Sequence, residues 1–133
     1  MSSLQVKENN FKWVSSQAVQ DHPNPYAVLS IDMNKAVESW RQSIIAHEWL
    51  SKDGAFKDIN ALSAPLKVQW EESLARAESG YEIERPILGL GVLDNIEIGT
   101  NRSILSVADH LGMDSIEVVV PEGMVKLFKE FTV

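Results

Sequence analysis

The sequence predicts a single small α/β (α+β) domain, with a mixed sheet packed by amphipathic helices. Three observations predict it. Short apolar segments alternate with stretches of helical periodicity, glycines and prolines stand at the boundaries between them, and 133 residues suit one hydrophobic core.

Residues 1–25 are polar and close with His22-Pro23-Asn24-Pro25, where each proline pushes its predecessor out of the helical region. This stretch reads as a polar N-terminal arm leading into one globular domain over 26–133. Tyr26 to Ile31 is short, apolar and partly β-branched, which predicts a buried strand, and Asp32 is a suitable N-cap for a helix beginning at Met33. From Met33 to about Ser51, Met33, Val37, Trp40, Ile44 and Ile45 recur at helical spacing, predicting one amphipathic helix that Lys52-Asp53-Gly54 ends.

Ser63 and Pro65 announce a second helix whose stripe is Leu66, Trp70, Leu74 and Ala77, closed by Gly80. Pro86 to Val92 and Asn95 to Ile98 are strand-like and predict a hairpin around Leu93-Asp94-Asn95. Asn101 to Leu111 reads as a third helix, with Gly112 as the residue able to turn left-handed at its end. Ser115 to Val120 is the clearest strand, and Glu122 to Phe131 a short closing helix. The expected sheet holds the strands around Ile87, Ile98 and Val118.

The chain has no cysteine, which excludes disulfides, thiolate metal sites and cysteine nucleophiles. Nineteen acidic against twelve basic residues give a formal charge of −7, and the bases are scattered, which argues against nucleic acid and anionic membranes as partners. Met1 to Asn10 lack the pattern of a secretory signal, and no stretch approaches the roughly 20 apolar residues of a membrane span, so the cytoplasm is the default location.

His22, His47 and His110 are not spaced to converge on a metal with a carboxylate, so no metal and no cofactor is expected. "KDGAFKDIN" lacks the alternating oxygens of a calcium loop. Gly89 and Gly91 have no helix after them and form no dinucleotide fingerprint. Trp40 and Trp70 lie on apolar stripes and belong to the core, whereas Trp49 and Trp13 lie off them and are candidates for exposed anchors.

One turn stands out. Gly99-Thr100-Asn101-Arg102 feeds a helix start, where free backbone N–H groups together with an arginine can hold a phosphate or carboxylate. The plainer reading is that Thr100 or Asn101 caps the helix and Arg102 faces solvent or pairs with Glu97.

The run "PILGLGV", "IEIG", "TNRS", "ILSVADHL", Gly112 and "IEVVVP", the stretch from Pro86 to Val120 and the proline after it, resembles the ParB/sulfiredoxin-like family over about a quarter of the chain. That family orders a strand, a strand ending in glycine, a turn that contacts nucleotide phosphates, a helix, a glycine and a further strand. The resemblance implies this scaffold and carries over Gly99 and Arg102, with Asn101 as a polar contact. Thr100 is not acidic, Ser103 stands where some members have histidine, Ile104 where some have a second arginine, and the catalytic cysteine of sulfiredoxins has no counterpart.

Two functions are compatible with these residues. One is a non-catalytic acidic interaction protein, of the inhibitor or immunity kind, binding a basic protein partner through Asp53, Asp58, Glu71, Glu72 and Glu78. The other is a nucleotide-binding or phosphate-ester-cleaving domain using Gly99, Asn101 and Arg102, with Glu97 or Asp94 assisting through a metal.

Overall fold

A computed structural model describes residues 11–133. The reading of Met1 to Asn10, including the absence of a signal pattern, lies outside the described residues. The chain forms a small mixed α/β domain. Strand β1 (Lys12–Val14) is followed by helix α1 (Gln17–Asp21), β2 (Tyr26–Asp32) and α2 (Met33–Trp40). After a long loop come α3 (Ala64–Glu78), β3 (Glu82–Glu84), the hairpin β4 (Leu88–Leu90) and β5 (Ile96–Ile98), α4 (Ser103–His110) and β6 (Ser115–Pro121). Short 3₁₀ helices cover Ile45–Glu48, Ile59–Ala61 and Glu122–Phe131.

The strands form three pairs: β1 parallel to β3, β2 antiparallel to β6, and β4 antiparallel to β5. The expected sheet of Ile87, Ile98 and Val118 is joined by a single parallel bridge, Ile87 to Val119, beside a 2.9 Å bond from the Val119 N–H to the Pro86 carbonyl. Arg85, next to that seam, ties the end of β1 to β6. Its backbone N–H reaches the Val14 carbonyl at 2.8 Å, and its guanidinium meets Glu117 at 2.8 Å and Ser15 at 3.2 Å.

The core runs through β6, where Val118, Val119 and Val120 are buried, to α4, of whose eight residues six are buried. Helix α4 ends in a Schellman turn. Gly112 takes φ +77°, its N–H bonds the Asp109 carbonyl, and the N–H of buried Met113 bonds that of Ala108. The left-handed conformation disfavours any side chain with a Cβ, so glycine belongs there.

Several expectations need correction. The arm over residues 1–25 is part of the fold where it is described: β1 pairs with β3, Phe11 is buried, and Trp13 packs against it with ring centroids 5.3 Å apart. Strand β2 is buried only in part, with Ile31 in the core and Leu29 packed against it but Val28 half exposed. Beyond β6, its backbone is bridged by Thr132 and Val133, through an Ile31–Thr132 bridge and a 3.1 Å bond to the Ser30 carbonyl.

The helix expected from Met33 to Ser51 stops at Trp40. Ser39 accepts the Ile96 N–H at 2.8 Å, and Ser43 takes the Ile45 N–H at 3.3 Å while donating to Glu97 at 2.6 Å. These hydroxyls offer the backbone partners outside the helical ladder. Ile44 is therefore turned outward, 88 % exposed, and Trp49 rather than Ile44 enters the core.

Candidate functional site

The turn before α4 is a structural clasp. The Gly99 N–H donates to the Ile87 carbonyl at 2.8 Å, and the Ile87 N–H donates back to the Thr100 hydroxyl at 3.0 Å. Asn101 sits at φ +52°, a conformation asparagine tolerates, and its side-chain amide donates to the Glu84 carbonyl at 2.7 Å. Arg102 occupies the N-cap position and turns its Nε–H onto the Ile98 carbonyl at 2.7 Å. The structure thus brings Gly99, Asn101 and Arg102 together as the anion-site reading requires. The polar groups described here are directed at the protein's own backbone. Neither Thr100 nor Asn101 makes a side-chain cap bond, and Arg102 makes no ion pair with Glu97.

Around this turn open two adjoining clefts of about 460 and 510 Å³, which share Ser73, Arg76 and Asn101. Helix α3 forms one wall and is tied to α4 by a 2.6 Å hydroxyl pair, Ser73 to Ser103, and by the Trp70 indole N–H on the Ser106 hydroxyl at 2.9 Å. Arg76 is the second arginine of the region. Its Nη2 donates to the Glu82 carbonyl at 2.6 Å, and its guanidinium lies 5.7 Å over the Tyr81 ring.

Against Arg76 and Arg102 the clefts present Glu82 and Glu84 from β3, Glu48 from the 3₁₀ turn, and Glu72 from α3. Among the described residues the two ion pairs are Arg41–Glu38 and Arg85–Glu117, so none of these four glutamates is neutralised by one. The cleft beside β3 sets Glu82 and Glu84 against Arg76 and is net acidic, whereas the cleft of Arg102 sets Glu48 and Glu72 against Arg76 and Arg102 and is balanced.

The carboxylates expected to bind a partner divide into two sets. Glu71, Glu72 and Glu78 are exposed along α3. Asp53 and Asp58 instead organise their loops. Asp53 accepts from the Ser51 hydroxyl at 2.6 Å and from the Ala55 N–H at 3.0 Å, and Asp58 accepts from the Asn60 N–H at 2.9 Å. The Ser51 hydroxyl first, then the Ala55 N–H, hold the Asp53 carboxyl below its ordinary 3.8.

The carboxylates named for metal assistance stand elsewhere. Glu97 accepts from Ser43 and from the Asn95 amide at 3.1 Å, Asp94 sits on the hairpin turn at φ +59°, and neither lines the clefts of Arg102. No group of three or more potential metal-ligating side chains occurs among the described residues.

Trp49 is 1 % exposed and Trp13 is packed beside Phe11, so neither is a free anchor. Glu48, Arg76, Glu82 and Glu84 escaped the sequence reading. The one signal present was the alternation Glu82-Ile83-Glu84, which places both glutamates on one face of a strand whose other face is buried Ile83.

No helix among the described residues is long and apolar enough to cross a membrane. Comparison with family models, with curated proteins and with solved structures finds no match to the chain.

Proposed function

We propose that the chain is a non-catalytic interaction protein, of the inhibitor or immunity kind, that binds a basic protein partner on the face built by α3 and β3. The observation that carries this reading is the charge of that face. Glu71, Glu72 and Glu78 of α3 and Glu82 and Glu84 of β3 are exposed, and no ion pair among the described residues neutralises them. The formal charge of −7 works in the same direction, since it draws a cationic surface toward the chain from a distance.

Asp53 and Asp58 each engage Oδ1 in their own loop and keep Oδ2 exposed for a partner, so they add to the field and extend the acidic surface. The order hairpin, Gly99 turn, α4, Gly112 and β6 supports a degenerate ParB/sulfiredoxin-like scaffold whose turn has become a brace. A nucleotide reading is disfavoured by the same geometry, in which Arg76 and Arg102 already hold carbonyls.

The test is to capture the binding protein and follow its association rate with salt. The rate should fall steeply as salt rises, and reversing Glu71, Glu72 and Glu78 to lysine should slow it by about tenfold or more with no loss of folding. A rate indifferent to both, or a partner without a basic face, overturns the reading. So does a thermal shift with ATP, CTP or GTP and magnesium that Arg102→Ala abolishes.

A further inference from the structure

The sequence contains a single Asp-Gly pair, Asp53-Gly54, and the structure places it in the exposed loop that follows the first 3₁₀ helix. Such a pair carries chemistry of its own. The Gly54 backbone nitrogen, with no side chain beside it to hinder approach, can attack the Asp53 Cγ and form an N–Cγ bond. The hydroxyl of the protonated carboxyl then leaves with the amide proton as water. The cyclic imide takes water back at either carbonyl. Opening at the Asp53 main-chain carbonyl gives isoaspartate, in which the chain runs through the side-chain carbon and the former main-chain carbonyl becomes a free carboxylate. Mass and charge are unchanged, and water is the only co-reactant.

Several contacts oppose the first bond. The Gly54 N–H donates to the Ser51 carbonyl at 2.9 Å, and this bond must break before the nitrogen can turn on Cγ. Asp53 Oδ1 is held by the Ser51 hydroxyl at 2.6 Å and by the Ala55 N–H at 3.0 Å. Those two bonds favour the carboxylate, which gives up an oxygen less readily than the acid does. Arg41 lies against the glycine: a Cβ placed on Gly54 would come within 2.8 Å of its Cζ. The same guanidinium donates to the Lys52 carbonyl at 3.3 Å and meets Glu38 at 3.4 Å. Gly54 sits at φ +88°, so the residue that makes the pair reactive is also the one the turn requires. The neck of the loop is tied by the Ser51 N–H on the Ala55 carbonyl and the Lys57 N–H on the Trp49 carbonyl, both at 2.8 Å, and by a Leu50–Phe56 bridge, with Trp49 and Leu50 in the core.

We infer that Asp53-Gly54 is the chain's site of isoaspartate formation, held closed by a clasp of Ser51 and Arg41 and released only when this loop opens. A reaction that needs an open loop proceeds at its intrinsic rate multiplied by the open fraction, so the local stability of the clasp governs it. The product no longer fits the clasp. Isoaspartate lengthens the main chain between Ser51 and Ala55 by one carbon and moves the carboxylate off its side chain, so the bonds made by Oδ1 and by the Gly54 N–H lose their geometry. The inference stands apart from what the chain binds.

The test ages the full chain at body temperature in neutral buffer beside a synthetic peptide of residues 49–57, and counts isoaspartate by peptide mapping with fragmentation that separates the isomers. The folded chain should rearrange at Asp53 about tenfold or more slowly than the peptide, and Asp53 should be its first site of isoaspartate. Ser51→Ala and Arg41→Ala should each speed the reaction severalfold toward the peptide rate, whereas Val68→Ala on the exposed side of α3 should leave it as in the parent. Ser51 is exposed, so its variant keeps the Tm of the parent and serves as the test even where Arg41→Ala lowers it. A folded chain that rearranges as fast as the peptide overturns the inference. So do Ser51 and Arg41 variants that match the parent, an earlier isoaspartate elsewhere in the chain, or none in chain and peptide alike.

Discussion

Helices α3 and α4 lie against one another and differ in almost every other respect. Of the eight residues of α4, six are buried, whereas the fifteen of α3 bury only Trp70 and Ala77. The seam between them joins the Trp70–Ser106 and Ser73–Ser103 bonds to the packing of core residues Trp70 and Ala77, with the Trp70 ring 5.1 Å from that of His110. Such bonds fix orientation and register at small net gain in stability, since each replaces a bond to water. Helix α4 is thus part of the core, and α3 joins it along one face and leaves its outer face exposed to solvent.

The sharpest way to break this comparison is to shorten a buried side chain of α4 and an exposed one of α3. Leu105→Ala removes a side chain that is 1 % exposed in the centre of the core, and should destabilise by about 2–5 kcal/mol through lost transfer energy and the cavity left behind. Val68→Ala on α3 removes one that is 53 % exposed and should change stability by no more than about 0.5 kcal/mol. Urea unfolding of both variants measures the difference. Equal costs would show that α3 supports the core as much as α4 does.

The same division explains what was legible in the sequence. Helix α4, the hairpin and β6 were readable because each buries a pattern that its own residues display, a helical stripe or a β-branched run, with Gly112 marking the break. Helix α2 was overextended because its end is set by tertiary partners. Ser39 and Ser43 look like ordinary polar positions of a helix until the Ile96 N–H and Glu97 arrive from more than fifty residues away.

The candidate site was half legible. Gly99, Asn101 and Arg102 do meet at the α4 start, but the groups that use them up, the carbonyls of Glu84, Ile87 and Ile98, belong to other strands or to the turn's own backbone. The carboxylates of the clefts were hidden for a like reason. Glu48, Glu72, Glu82 and Glu84 come from three separate elements, and no local pattern announces that Glu82 and Glu84 will line one cleft and Glu48 and Glu72 the adjoining one.

Arg102 sharpens the comparison at the junction where the α4 start meets the cleft. Arg102→Ala removes the bond to the Ile98 carbonyl, and should cost about 1 kcal/mol, the usual net worth of one hydrogen bond, with somewhat more if the carbonyl is left without water. Arg102→Lys keeps the charge but not the planar fork, and should recover little of that loss. Chemical denaturation checks both. A variant as stable as the parent would return Arg102 to the role of a free surface cation.

The smallest expected effect lies at the other end of α4. Partial desolvation raises the carboxyl of exposed Asp109 above its ordinary 3.8, and the neighbouring His110 charge pulls against that rise. The folded protein therefore holds this proton more tightly than the unfolded chain. The linkage has a definite sign: where the folded state binds more protons, stability falls as pH rises, here from 3.8 through the raised folded value, and levels off above it. The charged carboxylate also sits in the last turn of α4, against the helix carbonyls, which disfavours it by about 0.3 kcal/mol more. Asp109→Asn removes both effects while keeping the shape. At neutral pH the variant should be slightly more stable than the parent, and the gap should close as pH falls below the window. Tm measured between acid and neutral pH for the two proteins reads this directly. A gap that widens toward acid would mean that the carboxylate is stabilised in the folded chain, and the end of α4 would then be a polar contact rather than the margin of the core.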